Sequence, residues 1–430
     1  MKNGSIKVDY LARVEGEGAF YVKVQDGKVV DSQLRIFEPP RFFEGFLCGR
    51  RHDEVVDITA RICGICPIAY QSASSQAMER IMGIKVEGQL RELRRLMYCG
   101  EWIESHALHV FLLHAPDFLG YQSVIHMVPD HPELVKQALS LKKLGNDIMI
   151  LLGGREIHPV GWKVGGFHKV PDASQLAPLL PRLEATVDVC LALTTTLAKV
   201  LKFPKFDREY EFVSLDHPTE YPILDGRIKS NKGLNIDVAE YEANFKEEHV
   251  ERANALQGRR TNGAPYFVGP LARFNNSFEK LSAGAKKAAK IAGIEPGVSN
   301  PFKGILVRMV ETVWALEESI KIIKAYKKPE EASLEYTVKA GRGMAASEAP
   351  RGMIYHRYTV DEKGIVVDAK ITPPTAQNQP TIEEDLRQFV EANLDLPEDK
   401  LTWECEKAIR NYDPCISCAT HFLKLKVDRI

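Results

Sequence analysis

Two short cysteine pairs near opposite ends of the chain constrain its fold more than any other feature of the sequence. The stretch "RICGICPIAY" holds Cys63 and Cys66, and "DPCISCATH" holds Cys415 and Cys418. Pro67 favours a helix start directly after Cys66, and thiols that precede a helix N-terminus beside an arginine have their thiolate form stabilised. If all four thiols bind one metal, the end of the chain must return to the region of the first pair.

The spacing of the cysteines alone leaves three interpretations open. A structural zinc ion takes four thiolates, although zinc sites usually draw both pairs from one short segment. A redox-active metal in a four-sulfur site fits as well, and two unrelated CxxC turns are the third interpretation. The remaining cysteines are isolated, and we predict structural roles for them, since eight in 430 residues are too few for a disulfide framework; they are Cys48, Cys99, Cys190 and Cys405.

Composition excludes several classes of protein. With 44% hydrophobic and 27% charged residues, the chain has the make-up of a globular protein, and its formal net charge of −1 disfavours nucleic acid and anionic membranes as partners. No stretch approaches 18 consecutive apolar residues, and the N-terminal segment lacks the order of a secretory signal. We therefore expect a cytoplasmic protein with no membrane span and no nucleic-acid partner.

Hydrophobic periodicity predicts a helical body with β structure at its edges. The stretch "GAFYVKVQDGKVVDSQLRIF" alternates apolar and polar residues around Asp26-Gly27, which indicates a hairpin, and a period of two returns over 335–373 with "DEKG" as a turn. Helical spacing predicts helices over 90–115 (ending before Pro116), 132–152, 175–201, 238–255, 304–326 and 381–393. No repeat or clear linker divides residues 1–430, so we expect a single domain, with a surface excursion around 203–235.

Six further motifs flank the cysteine pairs in a defined order. They are "ARVEGEG" (12–18), "FEPPRFFEGFLCGR" (37–50), "SHALHVFLLHAPDF" (105–118), "HPVGWKVGGF" (158–167), "EAPRG" (348–352) and "ITPPTAQN" (371–378). With these motifs the chain resembles the large, catalytic subunit of nickel-iron hydrogenases, and it is most similar to the cytosolic branch that is linked to NAD(P) or called sulfhydrogenases. The resemblance implies an α+β, mainly α fold: a central bundle of long helices with small antiparallel β-sheets at the periphery.

The same resemblance implies a metal centre that splits or forms dihydrogen heterolytically. Cys63 and Cys415 would be terminal nickel thiolates, and Cys66 and Cys418 would bridge nickel to an iron that carries carbon monoxide and two cyanides. Soft thiolates suit nickel. Cys415 would take a proton and hand it to Glu15, although without the resemblance Glu15 would be interpreted as a solvated turn residue.

Further site residues follow from the resemblance. Arg351 would lie over the open nickel position, held by Asp117 and Asp413, and Pro350 and Thr375 would line the pocket of the diatomic ligands. Glu44 and His421 would bind a magnesium or iron ion. The histidines of the long helix are interpreted as hydrogen-bonded core groups rather than metal ligands; they are His106, His109 and His114.

The chain has neither a further cysteine cluster for iron-sulfur centres nor a GxGxxG nucleotide loop, so electrons must pass to another polypeptide. The resemblance implies a small subunit with iron-sulfur clusters, and flavin (FAD), NAD(P) and ferredoxin-like subunits beyond it. It also implies a maturation protease that cuts after His421 and removes Phe422–Ile430.

One departure and two alternatives accompany the resemblance. The family commonly has histidine where this chain has Tyr70, whose hydroxyl can donate a hydrogen bond but cannot become a cation near neutral pH. The quinone-site subunit of respiratory complex I shares the fold without nickel, but it generally lacks the four cysteines. A structural zinc scaffold is the second alternative.

Overall fold

Long helices form the centre of the structure, a computed structural model that describes residues 3–421. The α-helices are α1 (Phe43–Leu47), α2 (Val55–Ala60), α3 (Pro67–Met82), α4 (Gly88–Ala107), α5 (Ala115–Leu119), α6 (Val124–Met127), α7 (Pro132–Gly153), α8 (Ala173–Leu176), α9 (Leu179–Val200), α10 (Tyr241–Asn244), α11 (Pro270–Ser277), α12 (Ala283–Ala292), α13 (Gly304–Ala325), α14 (Pro374–Glu391), α15 (Glu398–Arg410) and α16 (Ile416–Ala419). Helix α4 packs against α7 and α13, and α9 packs against α13. Helix α13 is buried around most of its circumference, as a central helix should be.

Small antiparallel sheets surround these helices. The strands are β1 (Gly4–Val8), β2 (Gly18–Gln25), β3 (Lys28–Ile36), β4 (Trp162–Lys163), β5 (Gly166–Phe167), β6 (Val213–Asp216), β7 (Arg227–Ser230), β8 (Asn235–Ile236), β9 (Phe245–His249), β10 (Leu256–Arg260), β11 (Gly341–Ala349), β12 (Gly352–Val360) and β13 (Val366–Thr372). They form sheets in the orders β1-β2-β3, β4-β5, β6-β7-β8, β10-β9 and β11-β12-β13. The predicted mainly α fold with peripheral antiparallel sheets is confirmed.

Both predicted hairpins are present. Asp26 and Gly27, between β2 and β3, have φ of 50° and 73°, the left-handed conformations that a tight hairpin turn requires. The "DEKG" turn joins β12 to β13, and the Gly364 amide donates to the Asp361 carbonyl at 3.0 Å. None of the helices within residues 3–421 is long and apolar enough to cross a membrane.

The long helix predicted over 90–115 does not end before Pro116. Helix α4 runs into a π-helix, Leu108–His114, and then into α5, which contains Pro116 in its first turn. Proline is tolerated there because its missing N–H is not needed at the start of a helix, and the wider π turn allows a new helix to begin.

Two other helices form, but their bounds differ from the predicted ones. The predicted helix over 175–201 is interrupted before Leu179, because Pro178 cannot donate the backbone hydrogen bond that continuity requires. The helix predicted to begin at 381 starts at Pro374 and includes Pro380. Its first turns are held by side-chain bonds to neighbouring loops, such as that from Asn378 Nδ2 to the Val268 carbonyl at 3.0 Å.

The helix predicted over 238–255 is wrong. Only a short helical turn and α10 form there, and the chain then enters the hairpin of β9 and β10. Packing against α14 overrides the local pattern: Gln379 Nε2 donates to the Leu256 carbonyl at 3.0 Å, and Gly258 lies against the backbone of Gln377.

The prediction of a surface excursion around 203–235 is also wrong. The charged residues of this stretch are interleaved with apolar ones that pack inward, and β6 and β7 form part of a sheet. The buried residues include Tyr210, Phe212, Val213, Leu215, Tyr221 and Ile228.

The end of the described chain returns to the region of the first cysteine pair. Arg41 donates to the carbonyls of Ile62, at 2.7 Å, and of Ser417. One guanidinium therefore joins three segments that are distant in sequence. The predicted processing tail, Phe422–Ile430, lies outside the described residues.

Candidate metal centre

The first cysteine pair forms a tight turn at the start of α3. Cys66 is the N-cap residue and Pro67 the first helical residue, as the sequence predicts. Cys63 Sγ accepts hydrogen bonds from the backbone amides of Ile65, at 3.3 Å, and Cys66, at 3.2 Å. These donors stabilise negative charge on the Cys63 sulfur.

The second pair lies on a short helical turn that the N-terminal segment holds in place. The Ile416 amide donates to the Glu15 carbonyl at 2.9 Å, and the Cys415 amide donates to Thr375 Oγ1 at 2.9 Å. Asp413, two residues before Cys415, has φ of 51°, a left-handed conformation that aspartate tolerates better than most residues.

The four cysteine sulfurs converge at one buried point. All four lie within 4.8 Å of one another. The closest separations are 2.8 Å between Cys415 and Cys418, 3.5 Å between Cys63 and Cys415, and 3.8 Å between Cys66 and Cys418. Each cysteine is at most 3% exposed, and all are free thiols. In residues 3–421, no other group of three or more cysteine, histidine or acidic side chains converges in this way.

The chemistry of these thiols fits a bound cation. Burial opposes ionisation of Cys63, but hydrogen bonds from the other thiols and the charge of Arg351 lower its pKa well below the ordinary value. Burial and hydrogen bonds with the neighbouring thiols instead raise the pKa of Cys415 well above its ordinary value. Four thiolates cannot share so small a buried space without positive charge, and soft sulfur ligands select transition metals such as nickel and iron.

Glu15 lies directly against the cysteine cluster. Its Oε2 accepts a hydrogen bond from Cys415 Sγ at 3.0 Å and another from the Ser417 amide at 3.0 Å. Burial and, after it, the charge of Cys63 raise the pKa of the Glu15 carboxyl. The solvated-turn interpretation of Glu15 is therefore wrong.

Arg351 is held beside the cluster by Asp413 but not by Asp117. Its Nε donates to the Asp413 carbonyl at 2.8 Å and lies 3.1 Å from Asp413 Oδ2, and its Nη1 donates to Ser105 Oγ at 3.3 Å. Asp117 instead binds Arg410, at 2.7 and 2.8 Å, and Arg13, at 2.5 Å. The predicted Arg351–Asp117 pair is wrong because α5, beyond the π-helix, presents Asp117 to α15 and to the N-terminal segment.

The two predicted pocket residues are both buried. Thr375 Oγ1 accepts from the Cys415 amide, and its hydroxyl hydrogen is left to donate to another group. The Pro350 carbonyl accepts from Arg273 Nη2 at 3.0 Å, which fixes the backbone next to Arg351.

Glu44 and His421 approach each other around a backbone carbonyl. His421 Nε2 lies 3.7 Å from Glu44 Oε1 and also contacts the carbonyl of Ile371. The Ile371 amide donates to Glu44 Oε1 at 2.8 Å, and burial raises the pKa of the Glu44 carboxyl. A carboxylate, a carbonyl and an imidazole at one buried point can bind a divalent cation.

The prediction of hydrogen-bonded core histidines is confirmed for two of the three. It is not confirmed for His114, whose two ring nitrogens are buried without a hydrogen-bond partner among the described residues. His106 Nε2 lies 2.9 Å from Glu311 Oε2, and His109 Nε2 lies 2.7 Å from the Arg410 carbonyl. Burial lowers the pKa of His106 to about 4, so its ring is neutral at physiological pH.

Of two further groups that lie near the site, the sequence analysis noted Tyr70, as a departure from the family's usual histidine, but not Ser105. Ser105 contacts Arg351; the motif "SHALHVFLLHAPDF" contains it, but an isolated serine gives no signal of its own. Tyr70 is fully buried beside His356, with ring centroids 5.5 Å apart, and its hydroxyl has no hydrogen-bond partner in the described part of the chain. Burial and then the charges of the cysteines, Cys418 first, raise the pKa of the Tyr70 hydroxyl well above its ordinary value.

Comparisons with known proteins agree with this geometry. The family described as nickel-dependent hydrogenase matches residues 41–143 and 239–421. The chain is 32% identical over 423 residues to sulfhydrogenase 1 subunit alpha of Pyrococcus furiosus, with 98% of each chain covered. It is 25% identical over 474 residues to the NAD-reducing hydrogenase HoxS subunit beta of Cupriavidus necator, with 97% of this chain and 94% of that protein covered.

A solved structure shows the same fold. An NAD⁺-reducing [NiFe]-hydrogenase in the H₂-reduced state matches with a TM-score of 0.89 and 25% identity, over 97% of this chain and 99% of that chain. Together with the four converging cysteines, these matches decide against a nickel-free quinone-site subunit and against a structural zinc scaffold. The chain belongs to the nickel-dependent hydrogenase family, of which it is a large subunit with a four-cysteine metal site.

Proposed function

We propose that the four cysteines of this hydrogenase hold a nickel-iron centre whose iron carries carbon monoxide and two cyanides. Cys63 and Cys415 would be terminal ligands of nickel, and Cys66 and Cys418 would bridge the two metals. When bound, the centre supplies the Lewis acidity and the redox capacity that dihydrogen cleavage needs. The observation that carries this proposal is the convergence of four buried sulfurs within 4.8 Å.

Glu15 is proposed to carry the proton away from Cys415. A separation of 3.0 Å between Cys415 Sγ and Glu15 Oε2 is short enough for direct transfer. The raised pKa of the carboxyl brings its neutral form closer to physiological pH, and the Ser417 amide keeps Oε2 pointed at the sulfur.

Arg351 is proposed to supply a fixed positive charge next to the position that dihydrogen occupies. Asp413 and Ser105 hold the planar guanidinium at its Nε, Nη1 and Nη2 atoms. A preoriented cation in a site that excludes water stabilises developing charge more strongly than a mobile one.

Two further parts of the centre are proposals of the same kind. Pro350 and Thr375 would surround the diatomic ligands, and the Thr375 hydroxyl has a hydrogen that can be donated to a cyanide nitrogen. Glu44 and His421 would bind magnesium or iron together with the Ile371 carbonyl. This ion would secure the segment that carries Cys415 and Cys418.

We further propose that residues 1–430 form one catalytic unit of a cytoplasmic complex. Its partners would be a small subunit with iron-sulfur clusters, followed by ferredoxin-like, FAD-binding and NAD(P)-binding subunits, and a maturation protease would remove Phe422–Ile430. Support comes from the relatives, which are subunits of larger hydrogenases, including an NAD-reducing one. Intact-mass measurement of active, nickel-loaded protein tests the cleavage, because a chain that still carries Ile430 would refute it.

Replacement of one nickel ligand tests the proposed centre. Cys415→Ser exchanges a soft thiolate for a hard, weakly acidic hydroxyl, so nickel content and dihydrogen-dependent dye reduction should both be lost. Cys48→Ser is the control, because Cys48 is exposed and lies outside the cluster. Retained turnover in Cys415→Ser would contradict the assignment, as would an equal loss in Cys48→Ser.

A further inference from the structure

Glu101, a buried glutamate of α4, has no part in the function described so far. Its side chain is 0% exposed, and its Oε2 accepts a hydrogen bond from the Ile68 amide at 2.6 Å. Ile68 is in the first turn of α3, which begins directly after Cys66. The carboxyl of Glu101 therefore lies at the end of α3 that carries the first cysteine pair.

The other carboxyl oxygen of Glu101 is buried without a partner. Among the described residues, no group forms a hydrogen bond with its Oε1. Buried polar atoms in native proteins nearly always have a partner, so a free oxygen at this position calls for an explanation. Burial and, among charged groups, the neighbouring Cys63 raise the pKa of Glu101 well above its ordinary value, which keeps the carboxyl protonated and provides a proton that it can pass on.

Glu104 lies three residues further along the same helix, a spacing that puts it on the same side of α4 as Glu101. It is 3% exposed, and its Oε2 lies 3.1 Å from Nζ of Lys142 on α7, whose side chain is 28% exposed. Burial raises the pKa of Glu104 to about 7, against the opposing effect of Lys142, so both protonation states are populated near neutral pH. Its neighbour Ser105 contacts Arg351, so this turn of α4 lies against the metal centre.

Close packing of the two helices fixes the glutamate and the lysine relative to each other. A Cβ atom at Gly145 on α7 would come within 2.5 Å of the Gly100 carbonyl oxygen and 2.7 Å of the Glu104 amide nitrogen. Glycine at this position thus lets the two backbones meet beside Glu104. Lys142 lies one turn before Gly145 on the same helix. The close contact between the helices therefore holds the Lys142 ammonium group over the Glu104 carboxylate.

We propose that Glu101, Glu104 and Lys142 form a proton-transfer row that connects the Cys63 side of the metal centre with solvent. It is separate from Glu15, which contacts Cys415 on the other pair. Oxidation of one dihydrogen releases two protons and two electrons. Glu15 would carry one proton and the row the other, and the two electrons would leave to the redox partner subunit of the proposed complex. Glu101 passes the proton that it holds to Glu104 and takes up another at Oε1 from the metal-centre side. Glu104 releases its proton to solvent beside Lys142, and no bond between heavy atoms changes.

A purely structural role for these residues makes a different prediction. Glu101 would then only cap the amides at the start of α3, and Glu104 would only pair with Lys142. Glutamine keeps the shape and the acceptor oxygen of glutamate but cannot carry a proton. If the role is structural, Glu101→Gln should keep normal dihydrogen turnover. If the role is proton transfer, turnover should fall.

The test uses the purified complex with wild-type chain, Glu101→Gln, Glu104→Gln and the control Glu92→Gln, a half-buried glutamate of the same helix. Infrared difference spectra between hydrogen-reduced and oxidised protein should show a carboxylic C=O band that shifts in D₂O. This band should be lost or altered in both row variants and unchanged in the control. Dihydrogen turnover should fall on the order of 100-fold in the row variants, with nickel and iron retained.

The inference rests on the proposed nickel-iron centre, and the same spectra test the centre and the proton-transfer row separately. Absence of carbon monoxide and cyanide bands in the wild type would refute the proposed centre. If the wild type shows the carbon monoxide and cyanide bands, but Glu101→Gln and Glu104→Gln leave the carboxyl signals and the turnover unchanged, only the proton-transfer row is overturned. Loss of the metals in both variants would also overturn it, because the two residues would then serve assembly.

Discussion

Glu15 owes its role to a partner 400 residues further along the chain, the sulfur of Cys415. The same carboxyl on an isolated N-terminal peptide would be a solvated surface group. Burial by the returning C-terminal segment raises its pKa, and the Ser417 amide fixes its orientation. The chemistry of this residue is therefore a property of the folded chain.

Glu15→Gln should separate proton transfer from metal binding. The amide keeps an oxygen that can accept from the Ser417 amide, but it cannot carry a proton, so turnover should fall about 10²–10⁴-fold while nickel, iron and infrared bands remain. Glu17→Gln, a change of the exposed neighbour, is the matched control. Near-normal turnover in Glu15→Gln would mean that protons leave Cys415 by another path.

The two aspartates that the sequence assigns to Arg351 should behave differently. Asp117→Asn leaves Arg410 and Arg13 without their buried partner, which should cost about 3–5 kcal/mol of stability and lower the unfolding temperature, with turnover per nickel unchanged. Asp413→Asn should instead lower turnover per nickel, since Arg351 loses its carboxylate. A turnover defect in folded, nickel-loaded Asp117→Asn would contradict the pairing described here.

Motifs identified which residues belong near the site, but they could not assign the contacts between side chains. Cysteine spacing and flanking motifs were sufficient to predict the four-sulfur cluster and the Glu15 contact. The partner of Asp117 depends on how the π-helix turns α5. Its i→i+5 hydrogen bonds change the direction of the following side chains, and the hydrophobic periodicity gives no signal of this change. Glu101 was missed because a single glutamate in a helix normally indicates a solvated face.

At the scale of elements, long periodic segments were predictable and short mixed ones were not. Helices α7 and α13 match their predicted ranges to within one residue, because each presents many turns of consistent apolar spacing. The stretch over 238–255 has apolar residues at helical spacing, but packing against α14 favours a hairpin after Asn244. Competition between local preference and tertiary contacts cannot be resolved from the local pattern alone.

The contact between α4 and α7 gives a prediction at this scale. Gly145→Ala would place a methyl group against the Gly100 carbonyl and the Glu104 backbone, so the helices must separate at a cost of about 1–3 kcal/mol. The apparent unfolding temperature of the complex should fall. Leu139→Ala on the same helix is the control, since Leu139 is 51% exposed. An unchanged temperature for Gly145→Ala would show that the interface has room for a methyl group.

The whole fold brings two segments that are 352 residues apart in sequence to one metal site. Residues 63–66 are fixed by α3 and residues 415–418 by the N-terminal segment, so the four-sulfur geometry forms only when the complete chain has folded. Metal binding should therefore stabilise the whole subunit rather than a local loop. The described residues contain one converging cysteine group. In the proposed complex, electrons would pass from it to another subunit.

The infrared spectrum of the purified native complex, recorded with metal analysis of the same sample, tests the central claim most directly. Carbon monoxide and cyanide absorb where protein does not, so a nickel-iron centre of the proposed kind predicts one carbon monoxide band and two cyanide bands. Nickel should be present at about one per chain, with the bands shifting when dihydrogen is added. A sample with zinc in place of nickel and no such bands would contradict the account.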